Sequence, residues 1–131
     1  MAAIAKLGTP SISTAVPTPA QSLSGLLAND TIAAGDACYI NADGMVYRAN
    51  GAAATAPAQV AGFAATAAVA GQAVSIYWHV NFNYGSALTP GALVYLSGTV
   101  LGGLDSAAST GGVTAIGQCV DATRIWIRKS F

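Results

Sequence analysis

The sequence is short of charge. Its 131 residues include five acids and five bases, so charged residues are 8% of the chain and the net charge is zero. An ordinary soluble domain carries about a quarter. The acids are Asp30, Asp36, Asp43, Asp105 and Asp121, with no glutamate, and the bases are Lys6, Arg48, Arg124, Arg128 and Lys129. Without a basic surplus, nucleic acid is not expected as a partner, because phosphate binding needs clustered Lys and Arg. A free monomer with so little charge is poorly protected against self-association. Alanine, glycine, serine and threonine fill much of the remaining surface, and small side chains lose little rotamer entropy when a neighbouring chain covers them. Composition therefore points to a subunit of an assembly, although a small Ala-rich domain from a host of biased composition would read the same way.

Reactive groups are scarce too. His79 is the single histidine, and a zinc site needs three or four ligands, which one His and two distant Cys do not supply. The two cysteines, Cys38 and Cys119, could form one disulfide, but no spacing rule supports it. Both lie in apolar, strand-like surroundings, so they are expected to be buried and unpaired. Asp36 and Asp43 could pair across a hairpin, yet each sits beside a glycine, where Asp commonly accepts backbone hydrogen bonds. The pairs Gly102-Gly103 and Gly111-Gly112 bracket residues 106–110 without the lysine of a phosphate-binding fingerprint, and the loop reads as a flexible surface excursion. Residues 1–6 lack the apolar core of a signal peptide. Residues 52–70 are mostly alanine interrupted by Pro57, Gln59 and Gly62, too weak for a membrane span. These features predict no enzyme activity, no cofactor, no metal and no membrane partner, in a protein made in the cytoplasm.

What is present is β-forming sequence with a distinctive start. Pro10, Pro17 and Pro19 lie among serines and threonines in residues 1–24, which blocks a helix and predicts an extended N-terminal arm. Its apolar anchors Ile4, Leu7, Ile12 and Val16 suit contact with a neighbouring subunit; a disordered tail is the alternative. Residues 25–131 read as a single β domain with an internal repeat, about 31–78 and 88–127. Gly35 matches Gly91, Tyr39 matches Tyr95 and Gly44 matches Gly98. Residues 45–47 match 99–101, and 59–64 match 114–119, at a shift of about 55. Two copies are too few for a solenoid. They predict an all-β fold, a small sandwich or barrel built from two similar β-units.

Residues 38–40, 74–78, 93–96 and 124–127 are rich in β-branched and aromatic residues and bounded by turn formers, as strands are. Asp43-Gly44 predicts a hairpin turn. Alanine alone would favour helix in 52–70, but alignment with the second copy predicts extended chain, with a short helix near 64–69 as the alternative. Arg124 and Arg128 share one face of the last strand, with Ile125 and Ile127 on the other. Trp78, Phe82 and Tyr84 form the most aromatic stretch, where aromatics serve either as interface anchors or as core at the junction of the repeats. Partner-binding candidates are therefore Ile4, Leu7, Ile12, Val16, Trp78, Phe82, Tyr84, Arg124 and Arg128.

The pattern resembles the bacteriophage capsid decoration, or cement, protein family. The residues that carry the likeness are Gly35 and Asp36 before a strand, Asp43-Gly44-Met45-Val46-Tyr47, Val60-Ala61-Gly62-Phe63-Ala64, and Gly71-Gln72-Ala73-Val74-Ser75-Ile76. The second copy echoes them in Gly91-Ala92-Leu93-Val94-Tyr95 and Ala115-Ile116-Gly117-Gln118-Cys119. The likeness covers roughly residues 31–127 and consists of small-residue and turn patterns. It implies a β-rich, non-enzymatic protein on the capsid exterior of the virion, often trimeric, whose partners are the major capsid protein and copies of itself. A carbohydrate- or receptor-binding module of a phage fibre or tail, stacking sugar on Trp78, Phe82 and Tyr84, is the alternative.

Overall fold

The computed structural model describes residues 3–12 and 22–127. The β-branched and aromatic runs form strands, and the chain holds no α-helix among these residues. In chain order the strands are β1 (Ser11–Ile12), β2 (Ser22–Leu27), β3 (Ala37–Ile40), β4 (Val46–Arg48), β5 (Gly62–Ala64), β6 (Ala73–Tyr77), β7 (Val80–Asn83), β8 (Leu93–Leu96), β9 (Leu104–Asp105), β10 (Gly117–Cys119) and β11 (Arg124–Ile127). They make a five-stranded sheet, β2-β6-β5-β3-β4, and a six-stranded sheet, β1-β7-β11-β10-β8-β9. The fold is an all-β sandwich.

The internal repeat is a repeat of topology. Without β1, the second sheet has the strand order of the first with every number raised by five. Registers coincide as well: Cys38 opposes Gly62 as Val94 opposes Gly117, and Phe63 opposes Tyr77 as Gln118 opposes Trp126. Loop hydrogen bonds are duplicated. Gly35 N–H donates to Ala64 O at 2.7 Å and Gly91 N–H to Cys119 O at 2.8 Å; Ala61 N–H donates to Cys38 O at 2.8 Å and Ile116 N–H to Val94 O at 2.9 Å. Each unit thus begins one strand earlier than the sequence pattern shows, and the units span 22–77 and 80–127, joined by Trp78 and His79.

One match needs correction. Leu104, not Val100, occupies the place of Val46, because Leu96 pairs with Leu104 as Ile40 pairs with Val46. Gly102, at φ +70°, therefore stands for Gly44, at φ +78°, and residues 99–101 belong to a hairpin loop two residues longer than its counterpart.

Alternation sorts the side chains. Val80, Phe82, Val94, Leu96, Leu104, Cys119, Ile125 and Ile127 of the six-stranded sheet meet Ala37 and Phe63 of the other sheet in the main core, with Tyr39 and Tyr77 packed against it. The Phe63 and Phe82 rings lie 6.1 Å apart, tilted at 47°. On the far face of the five-stranded sheet, Cys38, Val46, Ala64, Val74 and Ile76 make a second core closed by Ala28, Ile32 and Ala68. The smaller sheet is buried on both faces.

Three further expectations change. The alternative helix at 64–69 does not form: Ala64 pairs with Ile76 and Ala68 bridges to Ile32, so sheet pairing overrides alanine's preference. A short 3-10 turn, Ala56–Ala58, is the helical element of that region. The glycine-bracketed loop is docked on the first unit. Gly111 N–H donates to Gly51 O of the first unit at 2.7 Å, and within the second unit Ser109 Oγ donates to Leu96 O at 2.7 Å. A Cβ on Gly111 would stand 1.8 Å from Ala53 O, so only glycine permits that approach.

The arm is shorter than 1–24 and partly folded onto its own chain. β2 starts at Ser22, within that span. Residues 3–12 run across both units: Ile4 N–H donates to Leu104 O at 2.9 Å and Leu7 N–H to Tyr84 O at 3.0 Å. Lys6 meets Asp36, Pro10 is buried, and β1 pairs with β7. Residues 13–21 lie outside the described residues.

Candidate functional site

Most of the described ionisable groups are occupied with structure, although the buried Asp105 Oδ2 has no hydrogen-bond partner. All three described cations are in ion pairs: Lys6 with Asp36, Arg48 with Asp30 and Arg124 with Asp121, the last two at 3.1 and 2.7 Å. Asp36 Oδ2 also accepts the Ala33 N–H at 2.8 Å, and Asp43 Oδ1 accepts the Met45 N–H at 2.9 Å. These two carboxylates cap turns at opposite ends of β3, about 13 Å of strand apart, so they form no acid–base pair. Asp43 also takes the Tyr47 hydroxyl at 2.6 Å, which first among its contacts holds its pKa below the usual carboxylate value. Asp105 is buried, and its Oδ1 accepts the Ala107 N–H at 3.1 Å.

Cys38 and Cys119 are buried and free. Burial, reinforced by the Asp36 charge, pushes the Cys38 thiol up to about 12, so it is no nucleophile near neutrality. His79 is exposed at φ +57° on the link between the units. Among the described residues no group of three or more His, Cys, Asp or Glu is placed to hold a metal ion, and no helix is long and apolar enough to cross a membrane.

The predicted partner residues do not form one patch. Ile4 is half-buried against the main core and Leu7 is 62% exposed. Ile12 pairs through its backbone with Phe82. Val16 and Arg128 lie outside the described residues. Phe82 and Tyr84 are corrected to core positions: both are fully buried, Phe82 because even-numbered positions of β7 point between the sheets, and Tyr84 just beyond the strand's end in the same core. They cannot form a stacking platform with Trp78, which is half-buried. Arg124 lies half-buried on the outer face of β11, with Asp121.

The surface that sequence reasoning passed over is the outer face of the six-stranded sheet. In register across four strands stand Asn81, Trp126, Gln118 and Leu93, of β7, β11, β10 and β8. Directly opposed residues share a face, so these four make one row. Trp126 is 39% and Leu93 49% exposed. Tyr95 lies two residues along β8 from Leu93 on the same face. The parity that puts Ile125 and Ile127 inside already puts Trp126 outside, which is the signal that could have found it. Gln118 Nε2 donates to Gly91 O at 3.1 Å, which holds its carboxamide in place.

Other large apolar side chains are also exposed, among them Leu7, Leu27, Val69, Val100, Leu101 and Val113. A cleft of about 330 Å³ opens between residues 3–5 and 85–89, over Leu93 and Cys119. No protein-family model matches the chain, and no curated protein or solved structure matches it.

Proposed function

We propose that the protein is a phage capsid decoration, or cement, protein that binds the outer surface of the coat shell as a trimer and stabilises it. The observation that carries this reading is the combination of exposed apolar side chains with a surface whose described cations are all neutralised internally. Such a surface gains by being covered. The resemblance in the turn and small-residue motifs supplies the kind of assembly, with the major capsid protein as partner and the virion exterior as location.

The mechanism requires no chemistry. A protein that binds the assembled shell and not its dissociated subunits draws the equilibrium toward the shell by mass action. Repetition over a lattice adds avidity where several contacts are made at once. A two-unit sandwich tied by residues 3–12 presents its exposed apolar side chains to neighbouring subunits.

The test is cosedimentation of purified protein with expanded coat shells, together with the temperature at which the shells come apart. Saturable binding that raises this temperature is expected, and the protein alone should sediment as a trimer. Shells that neither bind it nor gain stability would sink the reading.

A further inference from the structure

The most enclosed of the described ion pairs joins Lys6, in the N-terminal segment 3–12, to Asp36 of the first unit. Its carboxylate side chain is 6% exposed, against 26% for Asp30 and 42% for Asp121 in the two arginine pairs. Among these pairs it alone uses lysine. A lysine amine is a nucleophile once it loses a proton, whereas a guanidinium stays charged. The partners are 30 residues apart in sequence, and the fold delivers each to the other. Backbone hydrogen bonds from Ile4 to Leu104 and from Leu7 to Tyr84 fix the chain on either side of Lys6. Asp36 Oδ2 accepts the Ala33 N–H at 2.8 Å, while Lys6 Nζ takes the other oxygen, Oδ1. Gly102 lies so close that a Cβ there would stand 2.9 Å from the Asp36 Cγ, which leaves the carboxyl little room to swing. Pro10 and the Tyr84 ring close over the adjoining Gly35.

We propose that Lys6 and Asp36 condense to an isopeptide bond, an amide from Nζ to Cγ that staples segment 3–12 to the first unit. Enclosure makes a charged pair costly. It therefore favours passage of a proton from the ammonium to Oδ1, leaving an amine against a carboxylic acid. The Nζ lone pair then attacks Cγ. Negative charge develops on Oδ2, where the Ala33 N–H already points, as a preorganised donor should. The bond from Cγ to Oδ1 breaks, and Oδ1 departs as water with its own proton and one from the nitrogen. One ammonium and one carboxylate thus become one amide and one water, and no other reactant is consumed. Between groups held in contact, effective molarities reach about 10⁵–10⁸ M, and an enclosed carboxyl meets little water to reverse the step. The closed loop restricts the unfolded chain as a disulfide does. This inference is independent of the capsid reading: failure to bind shells leaves it standing, and the reverse holds.

The test is the intact mass of the denatured full chain beside that of Lys6→Arg, which keeps a cation but cannot form the amide. Once the difference in side chains is subtracted, the parent should be lighter by one water. A protease digest of the parent should contain a branched peptide joining Lys6 to Asp36, and Asp36→Ala should keep its full mass. The proposal is overturned if parent and Lys6→Arg differ by their side chains alone, or if Lys6 is recovered only in an unbranched peptide. A lost water that maps to another residue, such as Asp43, would also overturn it. If a variant fails to fold, the digest of the parent decides.

Discussion

Gly62 and Gly117 hold the same position in the two units, and each abuts the same neighbours. A Cβ on Gly62 would stand 3.1 Å from Tyr77 O and 3.1 Å from the Ile76 Cβ; on Gly117 it would stand 2.8 Å from Trp126 O and 3.3 Å from the Ile125 Cγ2. Tyr77 and Trp126 are equivalent, as are Ile76 and Ile125. The duplicated unit therefore reproduces this close approach as well as its strand order.

Substitution should expose this packing. Gly117→Ala forces backbone apart at 2.8 Å and is expected to cost about 1–3 kcal/mol, as overpacking does. Gly62→Ala, with slightly more room, should cost less. Urea denaturation of both variants checks the order, and equal or negligible losses would contradict the shared geometry.

The Lys6–Asp36 pair should anchor residues 3–12. The Asp36 side chain is nearly enclosed, and Lys6 is a quarter exposed. Lys6→Met leaves a buried carboxylate without its cation, a loss of about 1–3 kcal/mol after allowing for Lys6's exposure to solvent. Adding Asp36→Asn to Lys6→Met should restore part of it. If the urea midpoint of Lys6→Met equals the parent's, the segment is not held by this pair.

Acid should weaken the fold through carboxylates held below their ordinary pKa. The Thr123 N–H and then the Arg124 guanidinium bring Asp121 to about 2. At Asp30 burial pulls upward, but the Arg48 side-chain and backbone bonds prevail and lower it. A depressed folded-state pKa gives stability that is present above the unfolded value, about 4, and lost as pH falls through the folded one. The melting temperature should thus drop between about pH 4 and pH 2. Asp121→Asn should flatten that drop, and added salt should shrink the Asp121 share because the pair is exposed. An unchanged acid profile in Asp121→Asn would refute the assignment.

The link between the units sets a backbone demand at His79, the one non-glycine residue at positive φ among those described, at +57°. Glycine enters this region freely, whereas a β-branched residue resists it. His79→Val should therefore be less stable than His79→Gly by about 1–2 kcal/mol. Equal melting temperatures would show that the link relaxes without cost.

Much of the fold was legible along the chain. Alternation in 124–127 placed Ile125 and Ile127 inside, Asp43-Gly44 marked a hairpin, and the apolar settings of Cys38 and Cys119 marked both as buried. The Gly35–Gly91 and Gly62–Gly117 matches revealed the duplication, because turns and close approaches leave glycine in the sequence. Strands β2 and β7 escaped the repeat, since Ser22–Leu27 and Val80–Asn83 share no side-chain pattern and become equivalent only through their places beside β6 and β11. The hairpin after β8 was misaligned because its two extra residues shift the match only locally: Val46 falls opposite Leu104, yet the shorter connection that follows brings Gly62 back into line with Gly117.

The candidate surface was less legible. A period of two divides each strand into two faces, and local sequence determines which residues share a face. Which face another layer covers depends on how sheets from distant segments stack. That stacking buried Phe82 and Tyr84, which an aromatic cluster had suggested for the surface, and sent equivalent rows to opposite fates. Ala37, Phe63 and Tyr77 lie between the sheets, while Leu93, Gln118 and Trp126 face solvent. The sequence by itself determined the strands, the turns and the duplicated unit; only the packing of one unit against the other decided which copy of the row stayed open, because burial is a property of paired surfaces.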